Sequence, residues 1–300
     1  MRAVAFTGSG GPEVLRVLEL DDPHPGPGEV RVRVEAAGVQ PFDAAVRAGW
    51  EPPNAPRNWP RIPGNEFAGV VDESGGELPV GTEVLGFTLL GAYAEYIVVP
   101  EANVTPKPAE MPWEVAGGFT AGTQTAMIAL EVIEAGPGDT VLVHAAAGSV
   151  GTAAVQLAGL RGATVLGTAS EANQDYVRAL GATPLVYGEG LRERIRSAAP
   201  GGVDAVLDGA GGEALDISLE LVANRDRILT LVDHGRAAEL GVRLSRADRS
   251  AARLAELSAR YAKGELRFPV RRTYPFADAA AAHREIETGH GRGKVVLTPH

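Results

Sequence analysis

The chain has 300 residues, 45% of them hydrophobic, 22% charged and 5% aromatic, which is apolar material enough for one large or two modest domains. A formal net charge of −10 disfavours a nucleic-acid surface, and no apolar run approaches the roughly 20 residues that a membrane helix needs. With no cysteine there is no disulfide, no thiol nucleophile and no Cys-ligated zinc.

The first residues, M-R-A-V-A-F-T-G-S-G, lack a basic start followed by an apolar stretch, so no signal peptide is visible and the expected location is cytoplasmic. The first third reads as short strands over 2–6, 29–37, 69–73 and 93–100, punctuated by Gly and Pro at 22–28 and 51–64. This is the grammar of an antiparallel, barrel-like domain. Trp50, Trp59 and the prolines from Pro52 to Pro60 make a stiff loop that either lines a substrate cleft or covers a core edge. Tyr93 and Tyr96 read as barrel residues, with Tyr93 the one expected to face the cleft. The six histidines (His24, His144, His234, His283, His290 and His300) form no H-x-x-x-H pair. Solvated or capping roles are expected for them, and no metal site.

From about residue 118 strands alternate with helices. Strands are predicted over 141–145, 164–168, 185–187, 203–207 and 227–231, and helices over 150–160, 172–180, 191–199 and 214–223. That alternation means βαβ units in a parallel sheet wound on both faces. A further amphipathic helix follows over 250–263. The tail returns to strand at 270–274, helix around 277–287 and strand at 295–297, so it is able to rejoin the first domain and leave two lobes with a cleft.

The sharpest motif is T-V-L-V-H-A-A-A-G-S-V-G-T-A-A-V-Q-L-A at 140–158. A buried strand enters a turn of Ala146, Gly148, Ser149, Val150 and Gly151, then a helix. A diphosphate needs this arrangement, because it must reach backbone N–H groups at a helix N-terminus without a Cβ in the way. Ala146 stands where the first glycine is usual. The next strand ends Thr168-Ala169-Ser170, with no acid at its tip to hold a ribose 2′-hydroxyl. Ser170 and Asn173 offer a hydroxyl and an amide to a 2′-phosphate, so NADPH is favoured over NADH, although no Arg or Lys precedes Arg178 in this segment.

Several stretches, in order, resemble the zinc-free quinone oxidoreductase (zeta-crystallin-like) branch of the medium-chain dehydrogenase/reductase superfamily. They are A-A-G-V-Q-P-F-D-A-A-V-R-A-G at 36–49, P-G-N-E-F-A-G-V-V at 63–71, G-A-Y-A-E-Y-I-V-V-P at 91–100 and the glycine turn. G-V-D-A-V-L-D-G-A-G-G at 202–212, F-A-D-A-A-A-A-H at 276–283 and G-K-V-V-L at 293–297 complete the set. The resemblance covers nearly the whole chain. It implies an α/β protein with a GroES-like β-barrel catalytic domain (1–118), a doubly wound parallel-sheet Rossmann domain (119–262) and a C-terminal return to the first domain (263–300). It also implies NADP(H) as cofactor and a homodimer.

Carried over by position, the resemblance puts Gln40, Asp43 and Thr125 near the nicotinamide and the reacting substrate, with Arg47 at matching spacing. Ala146, Gly148, Ser149, Val150 and Gly151 fall on the diphosphate turn. Thr168, Ala169, Ser170, Asn173 and Tyr187 fall on the adenosine side, and Ala210, Leu231, Val232 and Lys294 complete the cofactor set. Trp50, Trp59 and Tyr93 are the substrate candidates. Gln40 replaces the family's usual Asn, Ala45 a tyrosine found in some members, and Asn173 a lysine. Plainer roles stand beside these: Gln40 and Asp43 as turn formers next to Pro41, Thr125 as a cap or core residue, Tyr187 as cover for a sheet edge and Lys294 as a solvated charge.

The chemistry expected is hydride transfer from NADPH to a small electron-poor acceptor, a quinone or an α,β-unsaturated carbonyl, without zinc. Positioning in a dry pocket would carry much of it, with the Gln40 amide or a cofactor hydroxyl meeting charge on the acceptor oxygen. Two alternatives stand: an enoyl reductase acting on a polyketide-like or thioester enone, and an NADPH-binding sensor with little turnover. Nucleic-acid and membrane partners are not expected.

Overall fold

The computed structural model describes residues 1–55, 59–246, 248–289 and 291–300. Residues 56–58 of the expected stiff loop, and His290, lie outside the described residues. The chain forms two compact units. One comprises Met1–Ala121, Arg249–Ala262 and Pro269–His300, the other Gly122–Asp248 and Lys263–Phe268.

In the first unit β1 (Arg2–Ala5) pairs antiparallel with β2 (Arg16–Glu19). Strand β3 (Glu29–Val39) buries Val30, Val32 and Val34 while Arg31 and Arg33 stay outside the core, the period-two alternation of a half-buried strand. The short helix α1 (Pro41–Arg47) was not expected from the sequence. Its start is nonetheless well specified, by Pro41 in the first turn and by Asp43 reaching back to the Gln40 N–H. Strands β4 (Glu66–Ser74), β5 (Glu83–Phe87), β6 (Tyr96–Pro100) and β7 (Val104–Pro106) follow. The 20-residue helix α2 (Trp113–Val132) also escaped the sequence reading. From 116 to 130 every residue except Thr125 is buried, so the helix shows no polar stripe from which its period can be read.

The second unit alternates as expected through β8 (Thr140–Val143), α3 (Ser149–Leu160), β9 (Thr164–Ala169), α4 (Gln174–Ala179), β10 (Thr183–Val186), α5 (Leu191–Ala198), β11 (Ala205–Asp208), α6 (Glu213–Leu221) and β12 (Ile228–Thr230). It then continues through α7 (His234–Leu240), a helix not predicted from the sequence, to β13 (Arg243–Leu244). The strands are all parallel, in the order β10-β9-β8-β11-β12-β13. The order reverses at β8, and the carboxyl end of that strand is where such a sheet takes its ligand. Leu142, Leu166, Val206 and Ile228 fill the core around it.

The remaining elements are α8 (Ala251–Ala262), β14 (Val270–Pro275), α9 (Ala279–Glu287) and β15 (Lys294–Thr298). The sequence boundary at 262 put α8 in the dinucleotide domain, whereas the helix belongs to the first unit. There the Tyr261 ring meets Phe119 edge-on, centroids 5.7 Å apart. Strand β15 lies inside the first unit's sheet, ordered β14-β15-β3-β4-β5-β7 with β6 also on β3. It pairs antiparallel with β3 from Val295↔Val39 to Leu297↔Ala37. No helix among the described residues is long and apolar enough to cross a membrane.

Candidate active site

In the first unit, the start of α1 and the loop before β4 gather a buried polar cluster. Asp43 is fully buried and accepts from Gln40 N–H at 2.9 Å, Gly64 N–H at 3.2 Å and the Tyr93 hydroxyl at 2.9 Å. Burial pushes its carboxyl up to about 7, against the Tyr93 hydrogen bond, the Lys294 charge and the Gln40 N–H. Tyr93 is pushed well above its ordinary value by burial and by Asp43. The Gln40 amide donates to Asn65 Oδ1. Glu66, also buried, is held by Lys294 Nζ at 2.5 Å and Ala121 N–H at 2.6 Å. Gly38 makes room for this pair, because a Cβ there would lie 2.0 Å from Glu66 Oε1 and 2.8 Å from Lys294 Cε.

Several expectations are corrected here. Lys294 is neither a solvated charge nor free for a cofactor, since its ammonium is buried against Glu66. Tyr93 has no exposed face and spends its hydroxyl on Asp43, so it positions that carboxylate and does not line a substrate surface. Arg47 is buried with its guanidinium on Glu287, the Gly10 carbonyl and His283 Nδ1. His283 and His144 are fully buried, contrary to the solvated or capping roles expected of the histidines. Trp50 and Trp59 are half-exposed, edge-on to Phe42 and Phe6 respectively, and Arg61 lies over the Trp59 ring. Thr125 is the one partly exposed residue of an otherwise buried helical stretch, 116–130.

In the second unit the turn expected to take a diphosphate joins β8 to α3. Gly148 caps α3 in an extended conformation with no side chain hydrogen-bonded over the helix end, so the first-turn N–H groups of the helix have no side-chain cap. A Cβ at Gly151 would lie 2.3 Å from the Ala145 carbonyl oxygen and 2.6 Å from Ala146 Cα, so only glycine lets the helix sit this close to the turn. Ala145 itself occupies the left-handed region, at φ 57°. Ala146 is buried and donates its N–H to the Thr168 carbonyl, which ties the turn to β9. Open N–H groups at a helix start, with no Cβ over them, fit a dinucleotide diphosphate.

At the β9 tip Asn173 Nδ2 donates to Ser170 Oγ at 3.0 Å, and the Ala169 carbonyl accepts from Tyr187 N–H and Gln174 Nε2. Tyr187 is half-exposed. Arg194 brackets it by donating to the carbonyls of Val186 and Gly188 at 2.9 and 3.2 Å. Sequence reading missed this cation, whose partners are backbone carbonyls that no motif encodes.

It missed an organising network as well. Asp208 Oδ1 accepts from Ala210 and Gly211 N–H, and Oδ2 from the Thr230 hydroxyl, which in turn accepts from Val232 and Asp233 N–H. The loops carrying Ala210, Leu231 and Val232 are thereby set at the ends of β11 and β12. Beneath them, Ser218 donates its proton to the Ala214 carbonyl. His144 Nε2 therefore donates to Ser218 Oγ, and Nδ1 accepts from Thr168. Burial lowers His144 to about 4 and keeps the ring neutral, against the pull of Asp208. The one signal available was an Asp ending an apolar strand before G-A-G-G.

Known proteins resemble this chain in sequence and fold. Residues 26–109 match the alcohol dehydrogenase GroES-like domain, and residues 180–297 match a family described as zinc-binding dehydrogenase. Among the described residues no group of three or more His, Cys, Asp or Glu could hold a metal ion. The chain is 30% identical over 330 residues to a quinone oxidoreductase of Pseudomonas aeruginosa, covering 99% of each chain. It is 36% identical over 292 residues to the spectinabilin polyketide synthase system protein NorB of Streptomyces orinoci, where it spans 91% of its own length and 13% of that protein's. The quinone oxidoreductase of Coxiella burnetii superposes with a TM-score of 0.89 at 29% identity, over 100% of this chain and 99% of the other. A mycobacterial protein complexed with NADPH gives 0.85 at 32% identity, over 100% of both. By these likenesses and its two matching domains, the chain belongs to the zinc-free quinone oxidoreductase branch of the medium-chain dehydrogenase/reductase superfamily.

Proposed function

We propose that the protein is an NADPH-dependent reductase that delivers hydride to a quinone or to the β-carbon of an α,β-unsaturated carbonyl. The observation that carries this reading is the turn from Ala145 to Gly151, whose uncapped helix start suits a diphosphate. The phosphate form of the cofactor is supported by the β9 tip, where Ser170 and Asn173 replace a carboxylate and Arg194 is held beside Tyr187. Arg194 is the cation that the segment before Arg178 lacked.

When bound, the reduced nicotinamide supplies the hydride. The chain's own residues bind and orient. The α3 N–H groups hold the diphosphate, and Asp208 fixes the loops of Ala210, Leu231 and Val232 that meet the nicotinamide side. Thr125 offers a hydroxyl from α2. In the first unit Asp43 holds the α1 start and the Gly64 N–H, which sets Gln40 and Asn65. A second reading, enoyl reduction of a thioester-linked enone, is favoured by the likeness to a polyketide synthase component over 91% of this chain.

The test mixes purified protein with NADPH or NADH and follows the dihydronicotinamide absorbance with a 1,4-quinone, an enone and an enoyl thioester. Faster oxidation of NADPH than NADH with the quinone or enone is expected. Turnover of the thioester alone selects the second reading, and binding without oxidation in any arm rejects both.

A further inference from the structure

Arg249 lies where the chain re-enters the first unit ahead of α8. It is half-buried, and its Nη1 reaches the Asn65 carbonyl at 3.5 Å, the long limit of a hydrogen bond, on an oxygen that already accepts Thr88 N–H at 3.2 Å. Burial pulls the guanidinium below its ordinary pKa while Glu66 and Asp43 act the other way, and it stays a cation at any working pH.

Neither carboxylate is available as a direct partner. Glu66 gives one oxygen to Lys294 and the other to Ala121 N–H. Asp43 is held by Gln40, Gly64 and Tyr93. A guanidinium has five donors in a planar fork, and one long bond to a carbonyl uses only one of them. Gln40, the donor nominated from sequence, already spends an N–H on Asn65. The largest unspent donor capacity in the cluster therefore belongs to Arg249, whose bond to Asn65 puts it one residue away from Gln40.

We propose that Arg249 is a catalytic residue that receives the negative charge developing on the acceptor's carbonyl oxygen, so that the acceptor class is one reduced through an oxyanion. The inference rests on the reductase reading above. Hydride adds to the β-carbon with its electron pair and forms the new C–H bond. The C=C pair shifts to the Cα–C bond and the C=O pair moves onto oxygen, leaving an enolate and an oxidised nicotinamide. Water then gives a proton to the α-carbon and hydroxide passes to solvent. Arg249 meets the enolate oxygen with a paired N–H fork in partly desolvated surroundings, where a fixed donor acts most strongly.

The test compares wild type with Arg249→Gln and Arg249→Lys, each checked for folding by circular dichroism. With NADPH and cyclohexenone, R249Q is expected to lower kcat about 100-fold, the usual effect of deleting one oxyanion donor. NADPH binding, followed by fluorescence, should stay within about twofold, and added guanidinium ion should restore part of the rate. R249K, which keeps the charge and loses the fork, falls between, and it decides the matter if R249Q does not fold. A second readout needs no turnover: nitrophenol bound to wild type ionises at lower pH than free nitrophenol, and R249K or R249Q reduces that shift. Retention of more than half the wild-type kcat by the folded variant overturns the role of Arg249, as does an unchanged nitrophenol shift. Absence of NADPH oxidation by wild type with every acceptor instead overturns the reductase reading itself, which separates the two failures.

Discussion

The two units build polar sites by opposite means. The second unit relies mainly on backbone: N–H groups at the start of α3, the close approach that Gly151 permits, carbonyls that hold Arg194, and loop N–H groups gathered by the Asp208–Thr230 pair. Its buried His144 is neutral and bonded to two hydroxyls. The first unit relies on side chains, with Asp43, Glu66, Lys294, Arg249, Asn65 and Tyr93 brought together from α1, the loop before β4, β4 itself, the 91–95 loop, the start of α8 and β15. Backbone sites are specified by local pattern and tolerate change around them. Side-chain sites are specified by the whole fold, and each member depends on the others for neutralisation.

The largest effect expected from breaking that contrast comes at the Lys294–Glu66 pair. Lys294→Ala leaves a buried carboxylate uncompensated and should cost roughly 3–5 kcal/mol in denaturant unfolding. Lys294→Met combined with Glu66→Gln should recover much of that. A loss under about 1 kcal/mol for the single variant would show that water or another cation already reaches Glu66.

A second prediction separates the units by pH. Asp43 titrates near 7 folded against an ordinary value of 3.8, so its contribution is full below pH 4 and is lost as pH rises toward 7. Moving that far is on the order of 4 kcal/mol. His144 and His283, lowered by burial to about 4 and about 3, act in reverse: their contributions are full above 6.5 and are lost on acidification. Asp43 and His283 oppose each other in the first unit, whereas His144 acts alone in the second. Between pH 7 and pH 5, hydrogen-exchange protection, taken relative to the intrinsic exchange rate at each pH, should therefore fall in β8 and β11 while it holds in β3 and β4. Asp43→Asn should make β3 and β4 acid-sensitive too. An equal loss of protection in both units of the wild type would refute the assignment.

Gly151→Ala should come next, at roughly 1–3 kcal/mol, because its Cβ meets the Ala145 carbonyl at 2.3 Å and α3 must move. NADPH affinity, measured by fluorescence titration, should fall with it. The smallest effect belongs to Ala145→Gly, which relieves a left-handed alanine and should change the melting temperature by no more than a stabilisation of about 1 kcal/mol implies. A clear destabilisation there would mean that the Ala145 methyl packs usefully.

The same contrast explains what was readable before the structure. The alternation of the second unit and the G-S-V-G turn are short-range patterns, and they place β8, the turn and α3 correctly. Tyr93 and Lys294 were recognised as notable, but their partners lie 50 and 228 positions away in the chain, at Asp43 and Glu66, so their roles as holders of buried carboxylates had no local signature. Arg249 stood in a charged stretch, R-A-D-R-S, indistinguishable by pattern from a solvated one. Helix α2 was invisible for a different reason: a helix buried on all sides carries no polar stripe, and its glycines and threonines read as turn or strand.

The position of β15 has a consequence for biosynthesis. Ala37 pairs with Phe67 of β4, but the other edge of Ala37–Val39 finds its partners only when Val295–Leu297 have been made. At translation speeds of 5–20 residues per second, that edge waits roughly 10 to 50 seconds as an unpaired template open to any other chain. The second unit's sheet, by contrast, draws all its strands from an unbroken run and is complete once β13 has emerged. The nascent N-terminal half is thus the part more exposed to mispairing. A chain arrested or clipped before Lys294 should accumulate with a finished second unit and an aggregation-prone first one.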